Sequence, residues 1–156
     1  MYSLNPSNGK IKQLQAKEDV ISDYSIANQA FEMVYFGLSA SNSQRLYTYN
    51  LKNDASSCLI DLSKEILRDV TLGEVQDWNF VSAQGDTIYG RFYLPPHFDA
   101  TKKYPMIVNY YGGTTPTARV MESRYPSHIY AGLGYIVYII QPSGCLLYTS
   151  PSPRDS

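Results

Sequence analysis

Apolar and polar residues alternate through much of the first sixty positions, the period-two pattern of strands with one covered face. Tyr2–Leu14 (YSLNPSNGKIKQL) and Tyr47–Leu59 (YTYNLKNDASSCL) share one layout: a short alternating strand, an Asn-centred polar turn, and a second strand ending in Leu. Tyr2 matches Tyr47, Asn5 matches Asn50, Asn8 matches Asn53 and Leu14 matches Leu59, a constant offset of 45 residues. That is the period of a propeller blade. Asp23–Ala27 (DYSIA) and Phe31–Ala40 (FEMVYFGLSA), lying between the copies, supply the two remaining strands of a four-stranded blade. The competing account is two unrelated hairpins, because Asn-rich turns between alternating strands are common.

The pattern then changes. Leu62–Asp69 has weak helical spacing. Trp78–Ser82, a Gly85-Asp86 turn and Thr87–Leu94 predict a hairpin with Ile88, Phe92 and Leu94 on one face, ended by Pro95 and Pro96. An apolar strand in YPMIVNYYGG, from Tyr104, runs into the glycine pair Gly112-Gly113, and ESRYPSHIYAGLG predicts a short helix ended by Gly132 or Gly134. In the last strand Ile136, Tyr138 and Ile140 face one way and Val137 and Ile139 the other, so neither face is polar. Such a strand belongs inside a sheet covered on both sides. Met106–Ile140 has the length of a βαβ unit, so this half is expected to open an α/β domain.

Composition narrows the function. The chain has 156 residues, is 44% hydrophobic and 13% aromatic, and carries thirteen Lys and Arg against fourteen Asp and Glu. No basic block could neutralise a run of phosphates, so nucleic acid is not an expected partner. The longest strongly apolar run, Gly134–Ile140, falls far short of the roughly 20 residues a membrane-spanning helix needs. Cys58 and Cys145 lack metal-ligand spacing, and two cysteines leave the compartment open.

The order GEVQDWNFVSAQGDTIYGRFYLPPHFDATKKYPMIVNYYGG, a helix, then GYIVYIIQPSG closely resembles the prolyl oligopeptidase family of serine peptidases, most of all its dipeptidyl peptidase IV branch. The carriers are Trp78, Gly85-Asp86, Tyr89-Gly90, Leu94-Pro95 and Tyr104-Pro105 through Gly113. The resemblance implies a mixed fold: the end of a β-propeller over 1–62, about one blade and part of another, then the N-terminal part of an α/β-hydrolase domain over 63–144. It further implies a peptide substrate, an acyl-enzyme and no cofactor. One departure bears on specificity: a common Gly-Gly-Pro is here Gly112-Gly113-Thr114-Thr115-Pro116. An esterase or acylaminoacyl hydrolase uses the same machinery on another bond, and a non-catalytic propeller protein that binds partners is the reading from another class.

Hydrolysis of this kind needs a serine, a histidine, a carboxylate and donors for the oxyanion, with the serine on a G-x-S-x-G turn. The chain contains no G-x-S-x-G, and Ser143 reads as a loop serine. His97 reads as a turn residue and His128 as a helix residue; both precede the place the elbow would occupy. Glu74 and Asp86 read as solvated or capping carboxylates. One donor is expected here. The loop after the third strand of a hydrolase sheet supplies an oxyanion donor, and the resemblance assigns that role to the hydroxyl of Tyr111. From the residues alone, Tyr111 is one of fifteen tyrosines, a ring packed at a strand end with its hydroxyl wet. Its neighbour Tyr110 is expected to be structural, and takes the role if the register is one residue off.

The tail CLLYTSPSPRD, Cys145–Asp155, is similar residue for residue to the translation of a transposon-end adapter used in preparing sequencing libraries. Residues 145–156 are therefore expected to be non-native, and the chain to be a piece of a larger enzyme that is inactive alone. A genuine Ser/Pro terminus is the alternative account.

Overall fold

The computed structural model describes residues 1–110, 120, 121, 123 and 125–141. The chain divides into two compact units, Met1–Val70 and Thr71–Ser156. Strands dominate, and two short helices accompany them among the described residues.

In the first unit β1 (Tyr2–Leu4) and β2 (Ile11–Gln13) pair only with each other. The strands β3 (Val20–Ile26), β4 (Glu32–Ser39), β5 (Asn42–Asn50) and β6 (Ala55–Asp61) form an antiparallel meander in chain order, the shape of a propeller blade. Its core gathers Leu14, Met33, Tyr35, Tyr47 and Tyr49. Tyr35 and Tyr47, directly opposite across β4 and β5, stack at 5.0 Å.

The 45-residue correspondence is physical. Tyr2↔Gln13 and Leu4↔Ile11 in β1–β2 recur as Tyr47↔Cys58 and Tyr49↔Ser56 in β5–β6. Both turns are made the same way. Asn5 Oδ1 accepts the Ser7 N–H and Asn50 Oδ1 the Lys52 N–H, at 3.0 and 2.9 Å. The Asn5 and Asn50 carbonyls accept the N–H groups of Gly9 and Asp54. Gly9 and Asp54 share the left-handed backbone, φ 67° and 60°. The match ends at the last pair proposed: Leu14 is buried, whereas Leu59 falls at a bulge between Tyr47↔Cys58 and Leu46↔Ile60 and is 57% exposed.

The expected helix over Leu62–Asp69 shrinks to one turn, α1 (Ser63–Ile66). Asp61 Oδ1 accepts the N–H groups of Ser63 and Lys64, which starts it. Leu62 and Ile66 stay exposed, so no buried face extends it.

In the second unit β9 (Thr87–Tyr93) pairs antiparallel on one edge with β7 (Val75–Asp77) and β8 (Phe80–Val81). Asp77↔Arg91 and Phe80↔Ile88 keep one register, and the Trp78 N–H bonds the Gly90 carbonyl between them, so β7 and β8 are one interrupted arm. The expected hairpin began at Trp78; its arm starts three residues earlier. On the other edge of β9 lies β11 (Ile136–Gln141), antiparallel, and beyond it β10 (Met106–Tyr110), parallel to β11. Val137, Tyr138 and Ile139 are all buried, as the apolarity of both faces predicts. The helix α2 (Ser127–Gly132) ends on Gly134 at φ 92°. The Gly134 N–H bonds the Ala131 carbonyl and the Tyr135 N–H the Tyr130 carbonyl, so Gly134 rather than Gly132 turns the chain into β11.

Candidate functional site

The site expected from the sequence begins where β10 stops. Tyr110 is its last residue, paired with Ile140 of β11. Tyr111, the expected oxyanion donor, with Gly112 and Gly113, lies outside the described residues, as do Ser143 and the tail at 145–156. Tyr110, expected to be structural, is 73% exposed, and Met106 and Val108, on the same face of the strand, are exposed with it. Beside the other flank of β10, an open cleft of about 310 Å³ is lined by Ile107, Val108, Asn109, Tyr125, Ser127, Tyr130 and Val137. It lies between the strand and α2, and among the described residues the polar side chains lining it are those of Asn109, Tyr125, Ser127 and Tyr130.

The remaining candidates lie elsewhere. His97 is exposed in a turn at φ 57°, and His128 is in α2 with its ring edge-on to Tyr93 at 4.9 Å. Asp86 closes the β8–β9 turn, its carbonyl accepting the Ser82 N–H and its own N–H bonding Ser82 Oγ. The Glu74 carbonyl accepts the Leu94 N–H. None of these is drawn together with another. Among the described residues no cluster of His, Cys, Asp or Glu could hold a metal ion, and no helix is long and apolar enough to cross a membrane.

Sequence reasoning missed a polar cluster in the first unit. Glu18, 5% exposed at its side chain, accepts from the Tyr47 hydroxyl and from Arg45 Nη1 at 3.3 Å, and Arg45 Nε pairs with Asp61 at 2.9 Å. Burial, and then the bond to the Glu18 carboxylate, pushes the Tyr47 hydroxyl well above the ordinary tyrosine range. Burial alone would lower the Arg45 guanidinium, but Asp61, with Glu18, outweighs it and leaves it raised. Nothing in the string KEDV around Glu18 signals this; its partner Arg45 is 27 residues away.

No family model matches the chain. Individual proteins do. Dipeptidyl-peptidase 5 of Porphyromonas gingivalis is 29% identical over 138 residues, 88% of this chain and 20% of that protein. Human dipeptidyl peptidase 8 is 34% identical over 84 residues, 50% of this chain and 9% of that protein. These relatives are dipeptidyl peptidases, the group that the sequence resembles. Solved structures agree at the level of fold. The isopeptidase AtxE2 superposes with a TM-score of 0.70 at 19% identity, over 90% of this chain and 21% of the other. The acylaminoacyl peptidase of Pyrococcus horikoshii gives 0.68 at 18%, over 85% and 20%. The chain thus spans about a fifth of the length of the first curated relative it matches.

Proposed function

We propose that the chain is a segment of a serine-type peptidase, carrying the last part of a β-propeller and the opening strands of an α/β-hydrolase domain, with Tyr111 as oxyanion donor. The observation that carries this reading is the place of β10. Counting β7 and β8 as one arm, β10 is the third strand of its sheet in chain order, and Tyr111 is the residue that follows it. The loop after the third hydrolase strand is where an oxyanion donor is built. The parallel β10–β11 pair, joined through α2, supports the α/β assignment, and the blade-shaped meander of the first unit supports the propeller. On this reading the serine, aspartate and histidine of the triad lie outside the chain, which alone is inert, and the substrate of the whole protein is a short peptide.

The chemistry asked of Tyr111 is specific. As a nucleophile adds to the peptide carbonyl, charge collects on the oxygen, and a phenolic O–H held at that position stabilises it in the transition state more than in the ground state. The test is the uninterrupted protein containing this segment, assayed with dipeptidyl p-nitroanilides, acyl-peptides and simple esters. Tyr111→Phe should lower kcat by about 10²- to 10³-fold with little change in KM. Full activity in that variant removes Tyr111 from the mechanism. Hydrolysis confined to esters moves the assignment to an esterase, and no hydrolysis of any substrate moves it to a binding protein.

A further inference from the structure

The connection from β9 to β10, residues 94–105, folds on itself. Its first end is fixed: the Leu94 N–H bonds the Glu74 carbonyl at 2.9 Å, and Gly73 lies so near that an added Cβ would run into the Leu94 carbonyl. His97 turns the chain left-handed at φ 57°. Beyond it the Asp99 N–H donates to the Tyr104 hydroxyl at 3.0 Å, and the Phe98 and Tyr104 rings pack at 5.1 Å. Inside that turn Asp99 Oδ1 accepts the Thr101 N–H at 3.0 Å and the Thr101 hydroxyl at 2.7 Å, and the Asp99 carbonyl accepts the Lys102 N–H. At the far end the Pro105 carbonyl accepts the Ile136 N–H at 2.9 Å, beside the first ladder pair, Met106↔Ile136.

β10 needs such a stop. It carries apolar residues on both faces, Met106 and Val108 on one and Ile107 on the other, so its own pattern opposes a slip along β11 only weakly. A slip of one residue moves a strand by about 3.3 Å. It also turns every side chain, and the residue that follows the strand, to the opposite face. We infer that Tyr104 is a positioning residue: by closing the 98–104 turn it keeps the connection at one length, which holds β10 in one register on β11 and sets the facing of Tyr111. The inference rests on the reading of Tyr111 as oxyanion donor. With the Tyr104 ring and hydroxyl gone the turn can open, and residues 98–104 then supply more slack than a one-residue slip requires.

A double-mutant cycle on the uninterrupted protein, assayed with dipeptidyl p-nitroanilides, tests it. Tyr104→Ala should lower kcat by about tenfold or more and change KM by less than about twofold. Tyr104→Phe, which keeps the ring and removes only the hydroxyl, should act in the same direction with a smaller effect. In a Tyr111→Phe background neither substitution should move kcat by more than about twofold, because the donor they misplace is already gone. Tyr104→Ala should also lower the exchange protection of the Ile136 amide by about tenfold or more, since that amide is bonded to the Pro105 carbonyl. Three results overturn the positioning role: unchanged kcat in both Tyr104 variants, the same fall in kcat in both backgrounds, or unchanged protection at Ile136. Where Tyr104→Ala fails to fold by circular dichroism, Tyr104→Phe decides on the same three criteria. Full activity in Tyr111→Phe removes the donor reading and the positioning role with it, whereas a loss there with none in the Tyr104 variants removes the positioning role alone.

Discussion

The Tyr138 hydroxyl is buried against Gly90, and no described group gives it a hydrogen bond. Its ring is well placed, stacked on Phe92 at 4.4 Å and edge-on to Trp78 at 5.5 Å. The ring therefore stabilises the sheet while its oxygen costs desolvation, and burial pushes the pKa of the hydroxyl up accordingly. Tyr138→Phe should raise stability by about 1 kcal/mol in urea denaturation, an unusual sign for a core tyrosine. Gly90→Ala should do the reverse, by about 1 to 3 kcal/mol, because a Cβ there runs into the Tyr138 ring. Tyr47 and Tyr138 also set an alkaline limit. Each has a folded-state ionisation above the ordinary value of 10.0, so their contribution is whole below about pH 10 and is lost as pH climbs towards the folded-state value. Urea midpoints between pH 8 and 11 should fall, and should fall less steeply in Tyr47→Phe.

At the scale of elements, the hairpin turns carry the repeat, and they can be tested singly. Asn50 Oδ1 accepts the N–H groups of Lys52 and Asn53, so Asn50→Ala should cost about 1 kcal/mol in thermal or urea unfolding. Gly134→Ala should cost about as much, since it places a side chain at φ 92° in the turn that ends α2. These features were legible because they depend on local chemistry: an Asn that folds its side chain onto its own turn, a glycine where the backbone turns left-handed. What was not legible depends on partners distant in sequence. The bulge that turns Leu59 outward is set by pairing with β5, and β7 is a strand only because the edge of β9 is there to receive it. The α1 pattern promised two turns, but with no surface to cover Ile66 the helix stops at one. Glu18 carries no local signal, because its burial comes from Gly37 and its charge partner is Arg45, both distant in sequence.

Across the whole molecule, likeness of sequence and likeness of fold have different reach. At 34% identity the match to human dipeptidyl peptidase 8 covers half of the chain, whereas the fold of AtxE2 is shared over 90% of it at 19%. Packing tolerates substitution as long as pattern and volume are kept; chemistry at a site does not. The decisive test therefore reads chemistry rather than fold. A fluorophosphonate captures only a serine that is activated and whose adduct oxygen is stabilised. On the proposed reading it should leave the 156-residue chain unlabelled and label the uninterrupted protein, with Tyr111→Phe slowing that labelling by about 10²-fold. Slow labelling in Tyr110→Phe and normal labelling in Tyr111→Phe would transfer the donor role to Tyr110, which the exposure of that ring at the end of β10 permits. Labelling of the short chain itself would mean that a serine within these residues is the nucleophile, and the assignment of the triad to positions outside the chain would fall.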